Sequence, residues 1–275
     1  MPHQPRFLRK HYAIPSEHGS WIWWIGPFLI GAAAGGSPTP ALILFFIAAL
    51  AAFLSRQPTT IVVKVWSGRR PKSDLGPALF WTALYSLVAL VSITILAILG
   101  YGRILLLAVP GIPVFLWHLW LVSRRQERGQ QGIEIVGCGV LALTAPGAYW
   151  LSGGESVSEA AILWLLLWLQ SAASIVFVYL RLEQRKLDES PPTRSRLRMG
   201  RRTLFYYVFN FLLSIILTAF KLVPVGVPLA FVLMLLDAVE GVLNPPVGAK
   251  PQSIGFRQLG ASILFVIVMV LAYRV

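Results

Sequence analysis

The chain has 275 residues, of which 56% are hydrophobic and only 13% charged, and its mean hydropathy is +0.70. A soluble domain carries about 25% charged residues, so the composition excludes an ordinary soluble enzyme and indicates one membrane domain that fills nearly the whole length. The net charge of +13 is distributed between apolar runs, which directs it toward anionic lipid headgroups and anionic substrates and away from nucleic acid.

A spanning helix takes about 20 mostly apolar residues. Residues 1–13 are polar and basic and read as a cytoplasmic tail, without the apolar core and small-residue cleavage site of a signal peptide. Hydropathy then predicts helices over residues 16–34, 40–55, 77–99, 104–123, 132–151, 160–180, 205–220, 225–243 and 253–273. The expected fold is an all-α integral membrane bundle of nine helices over residues 14–275. Gly35-Gly36-Ser37-Pro38, Gly100-Tyr101-Gly102 and Ser152-Gly153-Gly154 mark breaks between helices. Pro27, Pro110, Pro113 and Pro146 fall inside helices, where each removes a backbone donor and favours a kink. The one cysteine, Cys138, lies in an apolar run and reads as a small buried residue.

Of the 24 Lys and Arg residues, all but Arg103, Lys221 and Arg274 fall on one side of this nine-helix reading. The positive-inside rule therefore places the N-terminus in the cytoplasm and the C-terminus outside, in what reads as a bacterial cytoplasmic membrane. Two basic segments, residues 56–75 and 181–203, follow the second and sixth predicted helices. Within the second of them, Pro191–Thr203 is expected to lie on the headgroup surface.

Four constellations carry chemistry. Glu17 and His18 stand at the cytoplasmic mouth of the first helix, where Ser16 can cap and His18 can exchange a proton or bind a headgroup. Arg56, Lys64, Arg69 and Arg70 offer guanidinium forks and an ammonium to a phosphate or carboxylate; the plainer reading is topogenic charge with snorkelling stems. Arg181, Glu183 and Arg185 end the sixth helix. Asp237 and Glu240, three apart, share a face of the eighth helix, and Glu134 opens the fifth. Acids at membrane depth are costly and usually face an interior or a wet cavity. No cluster has metal-ligand spacing, and no metal or cofactor is expected.

Pro15-x-Glu17-His18-Gly19-x-Trp21 with Pro27-Phe28-Leu29-x-Gly31 resembles the start of YwiC-like membrane proteins. Phe53-Leu54-Ser55-Arg56-Gln57-Pro58 and Ile254-Gly255-Phe256-Arg257-Gln258-Leu259 extend that resemblance toward the C-terminus. More distantly the chain is similar to the UbiA superfamily of intramembrane prenyltransferases. That resemblance implies nine helices, a cytoplasmic-side cavity, and diphosphate-binding motifs after helices 2 and 6. The chain departs from it there: Arg56-Gln57-Pro58-Thr59-Thr60 contains no carboxylate, and Mg²⁺ needs hard oxygen ligands.

The leading expectation is therefore a cavity for an isoprenoid or lipid with an anionic headgroup, in which Arg and Lys replace Mg²⁺. Prenyltransferase-like activity stays open. The alternatives are an accessory subunit with a membrane-protein partner, and a small-solute transporter using Asp237, Glu240 and Glu134.

Overall fold

The computed structural model describes residues 9–15, 19–127 and 129–275, and every regular element among them is helical. A short helix α1 (Lys10–Ala13) precedes α2 (Gly19–Gly35), α3 (Ala41–Trp66) and α4 (Leu75–Ile98). There follow α5 (Ala108–Ser123), α6 (Gln131–Leu141), α7 (Thr144–Leu151) and α8 (Val157–Gln184). The chain ends in α9 (Thr193–Ala219), α10 (Val227–Leu243) and α11 (Pro251–Arg274). Among the described residues each of the nine apolar runs is helical, and the fifth is made of two consecutive pieces, α6 and α7. Seven of the helical segments among the described residues are long and apolar enough to cross a membrane. The others, α2 and α10, have 17 residues each.

The structure extends three helices well beyond the predicted ends. The second predicted helix was expected to stop at Ser55, but α3 continues through Pro58 to Trp66. Pro58 removes one ladder donor, and two hydroxyls beside it bond back to the helix. Ser55 Oγ donates to Ala52 O at 2.8 Å, and Thr59 Oγ1 donates to Ser55 O at 2.7 Å. The sixth runs on to Gln184, and the seventh starts at Thr193, twelve residues before its apolar run. Arg and Lys are good helix formers, so the backbone stays helical after the sequence stops being apolar. The basic segments expected as loops are thus largely the ends of helices.

The chain divides into two compact units. The first holds the described residues up to 15 together with Thr39–Ile133. In it Tyr12 is 2% exposed and packs with Ile61, Val62, Val65 and Ala78. Its hydroxyl donates to Asp74 Oδ1 at 2.7 Å, Tyr85 donates to Ala13 O at 3.1 Å, and Gln57 donates to His11 O at 3.2 Å. The end of the presumed tail is therefore a docked turn on α3 and α4.

The second unit comprises Gly19–Pro38 and Glu134–Val275. Its core is built around α8, with Leu163, Leu166, Ala173 and Phe177 packed among Tyr207, Phe231, Met234 and Met269. Here α2 and α7 come into backbone contact. A Cβ on Gly31 would lie 2.2 Å from the carbonyl oxygen of Ala145, and one on Gly35 would lie 2.5 Å from that of Tyr149. Gly31 and Gly35, four apart, form the small-residue face that lets two membrane helices close.

A basic cleft and a buried polar seam

In the first unit the end of α3 and the segment after α5 meet at a cleft of about 270 Å³, lined by Lys64, Arg69, Arg70, Arg125 and Glu127. Helix α3 supplies Lys64 from its last turn. The turn after it carries Arg69 and Arg70, with Gly68 at φ 68°, a left-handed conformation that suits glycine. The end of α5 supplies Arg125, itself at φ 63°. Its N–H bonds back to Val122 O at 3.2 Å while Gln126 N–H reaches Leu121 O at 3.0 Å, a left-handed helix terminus with an Arg where glycine is usual.

Glu127 organises this cleft. Arg69 Nη2 donates to its Oε1 at 2.6 Å, and Lys64 Nζ lies 3.5 Å from the same oxygen. Arg69 Nη1 also bonds the Val122 carbonyl. Burial alone would push the Glu127 carboxyl up. The Arg69 hydrogen bond, a backbone N–H, and the charges of Arg69 and Lys64 outweigh that and hold it down at about 2. Arg70 pairs with Asp74 at 3.2 Å. Four cations thus line one opening with a single carboxylate among them. The arrangement suits a second anion with several oxygens.

In the second unit the basic side chains are used differently. Arg181, 6% exposed, donates through Nη1 to the carbonyls of Gly241 and Asn244, each at 2.6 Å. Arg196 donates to Leu243 O at 2.7 Å. Two arginines therefore close the C-terminus of α10, whose last carbonyls have no helical donors and carry the negative end of its dipole. Arg185 Nε donates to Ala249 O at 2.9 Å. Arg257 from α11 bridges both acids of α10: it reaches Asp237 Oδ1 at 2.7 Å and contacts Glu240 Oε2.

The expected site residues thus separate. Lys64, Arg69 and Arg70 come together. Arg56 is half-buried higher on α3 and does not line the cleft. Arg181 and Arg185 bind backbone carbonyls, and Glu183 is exposed. Asp237 and Glu240 share Arg257. Glu134 is exposed and accepts from the Tyr179 hydroxyl at 2.7 Å. Glu17 and His18 lie outside the described residues. Sequence reading missed Arg125 and Glu127, because they reach the cleft from a loop more than fifty positions from Lys64 and Arg69. Their signal was the run Arg124-Arg125-Gln126-Glu127, an acid set among bases on the basic side.

No group of three or more His, Cys, Asp or Glu residues among those described could hold a metal ion.

Residues 14–149 match the family model described as YwiC-like protein. The curated "Uncharacterized protein YwiC" of Bacillus subtilis (strain 168) is 28% identical over 115 residues, 42% of this chain and 44% of that protein. The match thus spans less than half the length of that relative. No solved structure matches. All five cleft residues, and Gly31 with its Ala145 partner, fall inside the matched region.

Proposed function

We propose that this chain, a YwiC-like polytopic membrane protein, holds a lipid or isoprenoid by its anionic headgroup in the basic cleft of Lys64, Arg69, Arg70 and Arg125. The observation that carries this reading is the gathering of four cations from two separate segments at one cleft, two of them on Glu127 and one on Asp74. Both segments belong to the basic side of the sequence, which we take as cytoplasmic with the N-terminus on that side. Charge neutralisation then comes from guanidinium and ammonium groups, with no Mg²⁺ required. The similarity to UbiA prenyltransferases contributes only the placement of a headgroup after the second helix, and no transfer step is assigned.

One feature supports a phosphate-type head over a carboxylate: Glu127 already occupies a carboxylate's share of the cleft. Asp237 and Glu240 we read as a clasp on α11, closed by Arg257, which leaves the transporter alternative without a specific observation in its favour.

The test compares a long-chain isoprenyl monophosphate with the corresponding alcohol, by calorimetry on purified protein in detergent. The phosphate is expected to bind and the alcohol to bind weakly. Charge-assisted hydrogen bonds contribute about 1.5–3 kcal/mol each, so Arg70→Gln and Arg125→Gln should each weaken phosphate binding about tenfold or more. Equal binding of phosphate and alcohol, or undiminished binding by the double variant, would overturn the reading.

A further inference from the structure

Helix α8 carries a buried polar stripe. Gln170, Ser174, Arg181 and Gln184 recur at spacings of three, four and seven residues with Phe177 between them, so they lie along one face. All are buried, although this helix is among the most apolar in the chain and 61% of its best spanning window is inside the protein. Ser174 accepts a hydrogen bond from Gln258 Nε2 at 2.7 Å. Arg181 is held by the α10 carbonyls. The two amides at either end of the stripe are different. Gln170 Oε1 and both amide atoms of Gln184 have no hydrogen-bond partner, with Gln170 7% and Gln184 0% exposed. On α9, Asn210 is 1% exposed; its Nδ2 donates to Leu169 O at 3.0 Å, and its Oδ1 is without a partner.

A lone buried amide can be tolerated, but three in one unit conflict with the rule that buried polar groups are paired. A partly open pocket touches the first of them. Its volume is about 30 Å³, and it is lined by Gln170, Ser171, Ser174, Ser262, Trp23 and Phe265 among others. That is room for one or two water molecules, which need two to four polar partners to stay. Ser171 Oγ donates to Leu167 O at 2.9 Å and keeps its capacity to accept. The unpaired Gln170 Oε1 is an acceptor, so the group that fits it must donate.

We infer that α8 is the wall of a hydrated seam inside the second unit, in which ordered water held by Gln170 at membrane depth, and by Gln184 at the polar end, satisfies amides that the protein leaves unpaired. Between these ends, Ser174, Gln258 and Arg181 continue the polar face without a gap of more than two helical turns. The seam is separate from the headgroup cleft: it uses other residues, in the other unit, and stands or falls without that reading.

X-ray hydroxyl-radical footprinting with mass spectrometry tests it, on the full chain in lipid nanodiscs in H₂¹⁸O. Radicals generated from internal water label the side chains beside it. Phe265, 5% exposed and lining the cavity, is expected to incorporate label well above Phe209, which is 46% exposed toward the surrounding lipid. Gln170→Leu should lower Phe265 labelling severalfold and leave the labelling of Phe220 unchanged. Phe265 labelling no greater than that of Phe209 in the unmodified protein overturns the inference, whether or not the variant folds. Unchanged Phe265 labelling in a folded Gln170→Leu protein overturns the assignment of the water to Gln170.

Discussion

Arg125 combines two properties that separate under substitution. Its left-handed backbone costs a non-glycine residue about 1 kcal/mol, while its side chain adds a charge to the cleft rim. Arg125→Gly should therefore raise the melting temperature of the detergent-solubilised protein and lower affinity for a phosphate headgroup. A structural role alone would move the two together, and a rise in affinity would contradict the proposed cleft. Glu127 makes the complementary case. Its carboxyl lies near 2 in the folded chain against an ordinary value of 4.5. A depressed carboxylate stabilises the fold above the ordinary value and loses that contribution as pH falls toward the folded one. Thermal unfolding followed from pH 4.5 down to 2 should show a steeper loss of stability than the same scan on Glu127→Gln. At neutral pH Glu127→Gln should strengthen phosphate binding, because Arg69 and Lys64 lose their resident counter-ion. Of these residues, Lys64, Arg69 and Arg70 were legible in the sequence as a local basic run. Arg125 and Glu127 were not, since only folding brings the segment after α5 beside the end of α3.

Helices, too, show what hydropathy reports and what it does not. Among the described residues each of the nine apolar runs falls on helix, because burial in lipid demands both apolar side chains and internally bonded backbone, while the short α1 in the polar tail gave no such signal. The runs misplaced the ends of α3, α8 and α9, because the change to polar residues marks where a helix leaves the lipid and says nothing of where its hydrogen bonding stops. The same extension explains why Arg181 reads as a headgroup ligand in sequence and serves α10 in the structure. Arg181→Ala should leave the carbonyls of Gly241 and Asn244 without donors, at a cost of about 1–3 kcal/mol, read as a lowered melting temperature with headgroup affinity unchanged. Reduced affinity at unchanged stability would instead return Arg181 to the binding site. The Pro27-Phe28-Leu29-x-Gly31 motif also acquires a packing reason: a methyl at Gly31 would meet the α7 backbone at 2.2 Å. Overpacking of this kind costs about 1–3 kcal/mol, so Gly31→Ala should destabilise where Gly255→Ala, with open space at its Cβ, does not.

At the scale of the whole chain, the open matter is whether α2 and α10 cross the membrane. Seventeen residues rise about 25 Å, slightly less than the roughly 30 Å hydrocarbon core, and length alone does not decide it. Charge parity does. The basic start of α9 (Arg194, Arg196, Arg198, Arg201 and Arg202) and the basic start of α11 (Lys250 and Arg257) belong on one side by the positive-inside rule. The chain reaches the second from the first through α9 and α10, so both must cross for the two to coincide. If α10 lay within one leaflet, the start of α11 would be carried to the side that otherwise holds only Arg103, Lys221 and Arg274. The same argument applies to α2, between Arg9 with Lys10 and the end of α3. A Cys138→Ala background with single cysteines at exposed Ser195 and Gln252 reads this parity directly. Both should react with a membrane-impermeant maleimide only in inverted vesicles, and Ser158→Cys, at the other end of α8, only in right-side-out ones. Labelling of positions 195 and 252 from opposite sides would remove α10 from the spanning set and, with it, the nine-crossing topology.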